Sequence, residues 1–205
     1  MQNVIKDELH QTRNLLTLIE QDQAVLKTAE KIARQCVHSL VSGGKILFAG
    51  NGGSAADSQH LAAELVSRFT YDRPGLAGLA LTTDTSALTA IGNDYSFENL
   101  FSRQIEALGQ KGDVFIGIST SGKSPNVLKA FEVARAKGIF CVGFTRDCAP
   151  MMEERCDLTI NIPSKITAKI QECHMILGHI ICGLIGEEIH GAEYNPMRQN
   201  MEVTA

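Results

Sequence analysis

Two groups of residues in this chain have types and spacings that could do chemistry. The first is a pair of turns, Gly50-Asn51-Gly52-Gly53-Ser54 and Ser119-Thr120-Ser121-Gly122-Lys123-Ser124-Pro125. The second turn gathers four hydroxyls and a lysine ahead of a proline, a residue suited to the first turn of a helix. Backbone N–H groups and the helix dipole favour an anion there, and the run carries more donors than a single cap would use. A phosphate group is the anion this predicts. The turns match neither GxxxxGK[ST] nor GxGxxG, which disfavours a nucleotide.

The second group is a polar stripe. Asp57, His60, Glu64 and Arg68 follow one another at three- or four-residue spacing, so a helix over Ser54 to Phe69 would carry them on one face. His60 and Glu64, one turn apart, are spaced to chelate a metal ion, although a solvated face with a Glu–Arg pair has the same spacing. Further on, Gln171-Glu172-Cys173-His174 and Gly178-His179 set polar groups among Ile, Met, Leu and Cys. A histidine in such a setting is more often a satisfied core residue than a ligand or base.

These residues need elements to hold them. Apolar residues from Val4 to about Ser42 recur at three and four, which predicts a helical hairpin over 3–42 broken near Gln21 to Gln23. Short apolar runs follow at 45–50, 77–82, 113–119, 139–145 and 157–162, and each reads as a buried strand. Helical patterns lie between them over 54–69, 97–108, 124–137 and, briefly, 150–155, and a long final helix is expected over about 165–189. Five buried strands alternating with helices predict a three-layer, doubly wound α/β domain around a five-stranded parallel sheet. In that architecture ligands sit at the carboxyl ends of the strands, which is where both turns fall. One domain over 1–190 is expected, with 191–205 as a flexible tail.

Composition narrows the function classes. Net charge is −4 and no basic run exceeds two residues, so the chain lacks the electrostatic footprint of a nucleic-acid binder. No window approaches 18 consecutive apolar residues, and Met1 to Ile19 mixes charge with apolar residues, which predicts neither a membrane span nor a secretory leader. The six cysteines form no CxxC pair and fall mostly in apolar stretches, as reduced core thiols do.

Taken together, GNGGSAADSQHLAAE at 50–64, IGND at 91–94, STSGKS at 119–124 and IQExH followed by His179 resemble the sedoheptulose 7-phosphate isomerases, bacterial phosphoheptose isomerases of the sugar isomerase (SIS) fold. The resemblance runs to about Ile189. It implies a flavodoxin-like SIS domain and an aldose–ketose isomerase interconverting sedoheptulose 7-phosphate and D-glycero-D-manno-heptose 7-phosphate. That reaction opens the route to the nucleotide-activated heptose of bacterial surface polysaccharide. The resemblance further implies a cytoplasmic homotetramer with active sites between subunits and one zinc ion per subunit. By the same resemblance, substrate contacts fall on Asn51, Gly52, Gly53, Glu64, Asn93, Asp94, Ser119, Thr120, Ser121, Ser124 and Gln171. Zinc ligands fall on His60, Glu64, Gln171 and His179, and the catalytic pair on Glu64 and His179. One departure stands just before Gln171, where some members have an acidic residue and this chain reads Thr167-Ala168-Lys169.

Isomerisation moves a proton between C1 and C2, most simply through an enediol, and needs an acid and base together with a group that stabilises the developing oxyanion. The order in which Glu64 and His179 would act is not set by the sequence. A non-catalytic relative that binds the replication initiator DnaA shares the layout and many of these motifs, but it lacks the residues corresponding to Glu64 and His179. Other SIS enzymes, such as a phosphohexulose isomerase or an amino-sugar phosphate lyase, form a third class. Geometry adds a condition, because residues eight apart on a continuous helix are separated by about 12 Å of rise. Gln171 and His179 are therefore expected to meet one ion only if one of them comes from a neighbouring subunit, or if the helix is distorted near Gly178.

Overall fold

The computed structural model describes residues 1–197. Helices α1 (Gln2–Gln21) and α2 (Gln23–Val41) form the expected hairpin. Asp22 sits between them, and its carboxylate accepts hydrogen bonds from the Ala24 and Val25 amides to cap α2. Then follow β1 (Ile46–Gly50), α3 (Gly53–Val66), β2 (Gly78–Ala80), α4 (Thr85–Asp94), a 3-10 turn (Phe97–Asn99) and α5 (Leu100–Leu108). The chain continues through β3 (Val114–Ile118), α6 (Pro125–Ala136), β4 (Phe140–Arg146), α7 (Pro150–Glu153), β5 (Leu158–Ile162) and α8 (Thr167–Tyr194).

The five strands are all parallel, in the order β2-β1-β3-β4-β5. This is the 2-1-3-4-5 order of flavodoxin-like sheets, with its switch point between β1 and β3. Alternate residues of each strand enter different layers, as a pleat requires. Ile46 and Phe48 of β1 join Ile116, Val142 and Phe144 under α2, α3 and α8, while Leu47 and Ala49 join Phe115 and Cys141 under α5 and α6. All six cysteines are free thiols, and Cys36, Cys141, Cys173 and Cys182 are buried.

Three expectations need correction. Helix α4 is not among the elements expected from the sequence, because Thr85-Ser-Ala-Leu-Thr-Ala-Ile-Gly-Asn-Asp buries no residue fully and carries β-branched, Gly and Asn residues of low helix propensity. Helix α3 ends at Val66, so Arg68 lies beyond it, exposed, and does not extend the polar stripe. The last helix continues to Tyr194, which makes residues 191–194 helical, and residues 198–205 lie outside the described part of the chain.

Candidate active site

At the carboxyl end of β1 the chain turns through Gly52, whose φ of +56° is a left-handed conformation that favours glycine, and enters α3. A Cβ on Gly53 would lie 2.4 Å from Nε2 of Gln171, so this glycine lets the Gln171 amide of α8 rest on the first turn of α3. At the carboxyl end of β3 the second turn folds back on itself through Gly122, at φ +66°. There Ser119 Oγ lies 2.9 Å from Ser124 Oγ and 3.4 Å from Ser121 Oγ, while Ser121 Oγ accepts from the Lys123 amide. Ser124 is the N-cap position of α6 but makes no side-chain cap bond, and Pro125 opens the helix. Hydroxyls thus converge on a helix N-terminus whose first amides favour an anion.

Asn51 joins the two turns. Its side-chain amide exchanges two hydrogen bonds with that of Asn126 on α6, both 2.8 Å long. Asn126 is fully buried. The sequence does not single it out, because one asparagine after Pro125 carries no spacing signal.

Helices α3 and α8 bring the polar stripe and the last histidine together. They approach closely at Gly178, where a Cβ would lie 2.7 Å from Leu61 Cδ2. One position further along α8, His179 places Nε2 at 2.8 Å from Nε2 of His60, whose Nε2 is also 3.2 Å from Glu64 Oε1. The ligand-capable atoms of His60, Glu64 and His179 all lie within 4.8 Å of one another. Two imidazole nitrogens this close repel through their lone pairs unless one carries a proton or a cation lies between them. Two histidines and one glutamate with an open position make a donor set found in catalytic zinc sites, so these residues fit the ion.

One of the two ways of meeting the geometric condition set by the sequence is removed. Helix α8 runs unbroken through Gly178, so there is no distortion there; glycine at that position serves the contact with Leu61. Glu64 and His179 of the same chain meet. Gln171 donates from Nε2 to Asp57 Oδ1 at 3.0 Å, one turn before His60 on α3. Three of the four expected ligands therefore converge.

Asp57 is buried, and only one of its carboxylate oxygens has a partner. Burial raises its pKa above the usual carboxylate value, and the Gln171 hydrogen bond and nearby His60 only partly offset this. Asn93 and Asp94 lie exposed at the end of α4, where their side chains bond to each other and not to the turns. Lys169, in the stretch just before Gln171, is directed away from the site. Its Nζ bonds to Thr12 Oγ1 at 2.8 Å and pairs with Glu8 and Glu172, tying α1 to α8.

His174, left without a role by the sequence, is a core residue. It is fully buried against Phe144, and its Nε2 lies 3.0 Å from the Thr145 carbonyl oxygen. Burial lowers its pKa to about 4, so the ring is neutral and donates to that carbonyl.

The SIS domain family matches residues 9–146. The phosphoheptose isomerase of Burkholderia pseudomallei is 56% identical over 189 residues, covering 92% of this chain and 96% of that protein. That of Aneurinibacillus thermoaerophilus is 53% identical with the same coverage. The structure of phosphoheptose isomerase GmhA from Neisseria gonorrhoeae superposes with a TM-score of 0.85 at 39% identity, covering 91% of this chain and 98% of that one. With the serine turn, the buried link between the turns and the group formed by His60, Glu64 and His179 all in place, the chain belongs to the phosphoheptose isomerase family of SIS-domain proteins.

Proposed function

We propose that this protein converts sedoheptulose 7-phosphate to D-glycero-D-manno-heptose 7-phosphate, the entry to nucleotide-activated heptose. The observation that carries the reading is the convergence of Glu64 with two histidines at the end of a helix that begins at the Gly-rich turn. The phosphate binds the Ser119, Thr120, Ser121 and Ser124 hydroxyls and the first amides of α6. Asn51, Gly52 and Gly53 hold the sugar, with Gln171 fixed over them and Asn93 and Asp94 supplied from α4. Glu64 and His179 move the proton between C1 and C2.

The metal assigned to His60, Glu64 and His179 is zinc. When bound it polarises an oxygen and so favours enediolate character. Gln171 would complete the ligand set, from this chain or from a second copy of it. A homotetramer is supported by an apolar stripe: Val4, Ile5 and Leu9 of α1 are exposed, as are Ile176, Ile180 and Leu184 at four-residue spacing on α8. Such contiguous apolar surface is typical of an interface between subunits. Among the described residues no helix is long and apolar enough to cross a membrane, and a phosphorylated substrate supports the reading of a cytoplasmic reaction. Incubating purified protein and zinc with sedoheptulose 7-phosphate, with the aldose followed by NMR, is the direct test. Absence of product from a folded, zinc-loaded sample would reject the isomerase reading.

A further inference from the structure

The structure assigns to Arg73 a role as the positioning residue for Glu64: its guanidinium fixes the last turn of α3 and thereby the reach of the Glu64 carboxylate toward His60 and His179. The inference rests on the isomerase reading above and extends it to a residue outside the group of ligands.

Helix α3 ends two residues after Glu64, at the point where a helix leaves its final carbonyls without internal partners. Such a terminus frays unless other groups bind it, and a frayed last turn would let Glu64 swing. Arg73 supplies those groups from outside the helix. One guanidinium nitrogen donates to the Glu64 carbonyl at 2.9 Å, and another donates to the Leu65 carbonyl at 3.0 Å and to that of Pro74 at 2.9 Å. The Leu76 amide adds a further bond to Leu65 O at 2.9 Å. A cation at a helix C-terminus also opposes the negative end of the dipole. Only a planar, multiply donating group can bind successive carbonyls in this way, so lysine does not replace it.

The place of Arg73 is built. The residue is buried, and Gly186 of α8 leaves it room: a Cβ at Gly186 would lie 3.2 Å from Arg73 Nε. The segment that delivers Arg73 touches the site at two further points. Phe69 stacks on the His179 ring, with centroids 5.6 Å apart and planes inclined by 29°, and Tyr71 Oη donates to the Gly186 carbonyl at 3.0 Å. One stretch of chain therefore bears on both helices that carry the ligands: Phe69 on the α8 histidine, Arg73 on the backbone of the α3 glutamate. Burial works against the charge of Arg73, while Tyr71, Cys182 and Glu64 favour it. A buried cation held at this cost to solvation points to a requirement for geometry that an apolar residue would not meet.

The test compares wild type with Arg73→Met, which keeps the stem and removes the donors, and Arg73→Lys, which keeps the charge. Zinc affinity is measured by competition with a chromophoric chelator, turnover by NMR, and fold by circular dichroism and Tm. For Arg73→Met we expect zinc to bind about tenfold more weakly and kcat to fall about tenfold, with KM nearly unchanged, as for groups that orient ligands. Arg73→Lys should recover only part of each loss. A folded Arg73→Met protein with wild-type zinc affinity and kcat, altered only in Tm, would show a purely structural cap and overturn the inference. Should Arg73→Met fail to fold, Gly186→Ala decides, since it crowds the guanidinium without removing it; weaker zinc binding supports the assignment and unchanged binding rejects it. Wild-type protein that neither binds zinc nor turns over would instead reject the isomerase reading, so the two failures are separable.

Discussion

The side-chain amides of Asn51 and Asn126 hydrogen-bond each other twice, at 2.8 Å in both directions, and so lock the turn after β1 to the first turn of α6. Reciprocal amide bonds of this kind leave no freedom to flip either group, and Asn126 has no solvent to fall back on. The turn proposed to hold the sugar and the turn proposed to hold the phosphate are thus kept at one separation. Asn126→Leu is expected to leave the half-buried Asn51 amide without its partner, at a cost of about 1–3 kcal/mol. Steady-state kinetics should show KM for the sugar phosphate raised about tenfold, and unchanged KM would remove this link from the site.

His174 makes stability depend on pH in a defined direction. Its folded-state pKa is lowered from 6.5 to about 4 by burial, so between these values the unfolded chain takes up a proton that the folded chain refuses. Stability therefore rises with pH through this window, and it is lost as pH falls from 6.5 toward 4. A shift of this size corresponds to about 3 kcal/mol once pH is below both values. Urea unfolding of wild type and His174→Gln at about pH 7.5 and about pH 4.5, on either side of most of the transition, tests this. The wild type should lose more stability between the two pH values than the variant does, and equal losses would mean that the imidazole is not the responsible group.

The sequence revealed most clearly what rests on long, one-sided patterns. The central strands β1 and β3 appear as unbroken apolar runs because both faces of the sheet are covered there, and the serine turn stands out because its hydroxyls lie close together in sequence. Helix α4 is illegible because it buries no residue fully, so its periodicity is not enforced by a core. The site is legible in its members and not in its partnerships. His60 and Glu64 share a helix face by spacing alone, but their meeting with His179 depends on how closely α3 and α8 approach, and that is set by Gly178 against Leu61. Gln171 is placed on the ion by resemblance; its bond to Asp57 follows from the eight residues of helix that separate it from His179. Asn126 gives no signal because its partner amide is distant in sequence, and Arg73 gives none because it acts on backbone carbonyls, which no residue type marks.

Asp113 tests the frame at the opposite end of the sheet. Its buried carboxylate pairs with Lys45 Nζ at 2.7 Å and accepts from the amides of Lys45 and Gln110, joining the starts of β1 and β3. Removing it leaves the Lys45 and Gln110 amides without their acceptor, at a cost of about 1–3 kcal/mol, while Lys45, whose side chain is 24% exposed, turns to solvent. Asp113→Ala is expected to lower stability in chemical denaturation by roughly this amount, while kcat of the folded protein stays at the wild-type level because the active site lies at the carboxyl ends of the strands. A fall in kcat without loss of stability would contradict this division between frame and site.

Glu64 is expected both to hold the ion and to move the proton, and the two roles separate on substitution. Glu64→Gln keeps the shape of the side chain and an oxygen able to coordinate, but it removes the charge and the capacity to accept a proton. Turnover should fall by at least about a hundredfold, within the range that general acid–base groups contribute, while zinc affinity falls less. His60→Ala should do the reverse, weakening zinc binding more than it affects kcat at saturating metal. On the proposed assignment zinc binds the folded form, so stripping it with a chelator should lower Tm in wild type, less in Glu64→Gln, and least in His60→Ala. Metal analysis, Tm and kcat measured on one set of samples check these expectations together. If His60→Ala bound zinc as tightly as wild type, the ion would lie elsewhere; if Glu64→Gln kept full activity, the proton would travel through another group.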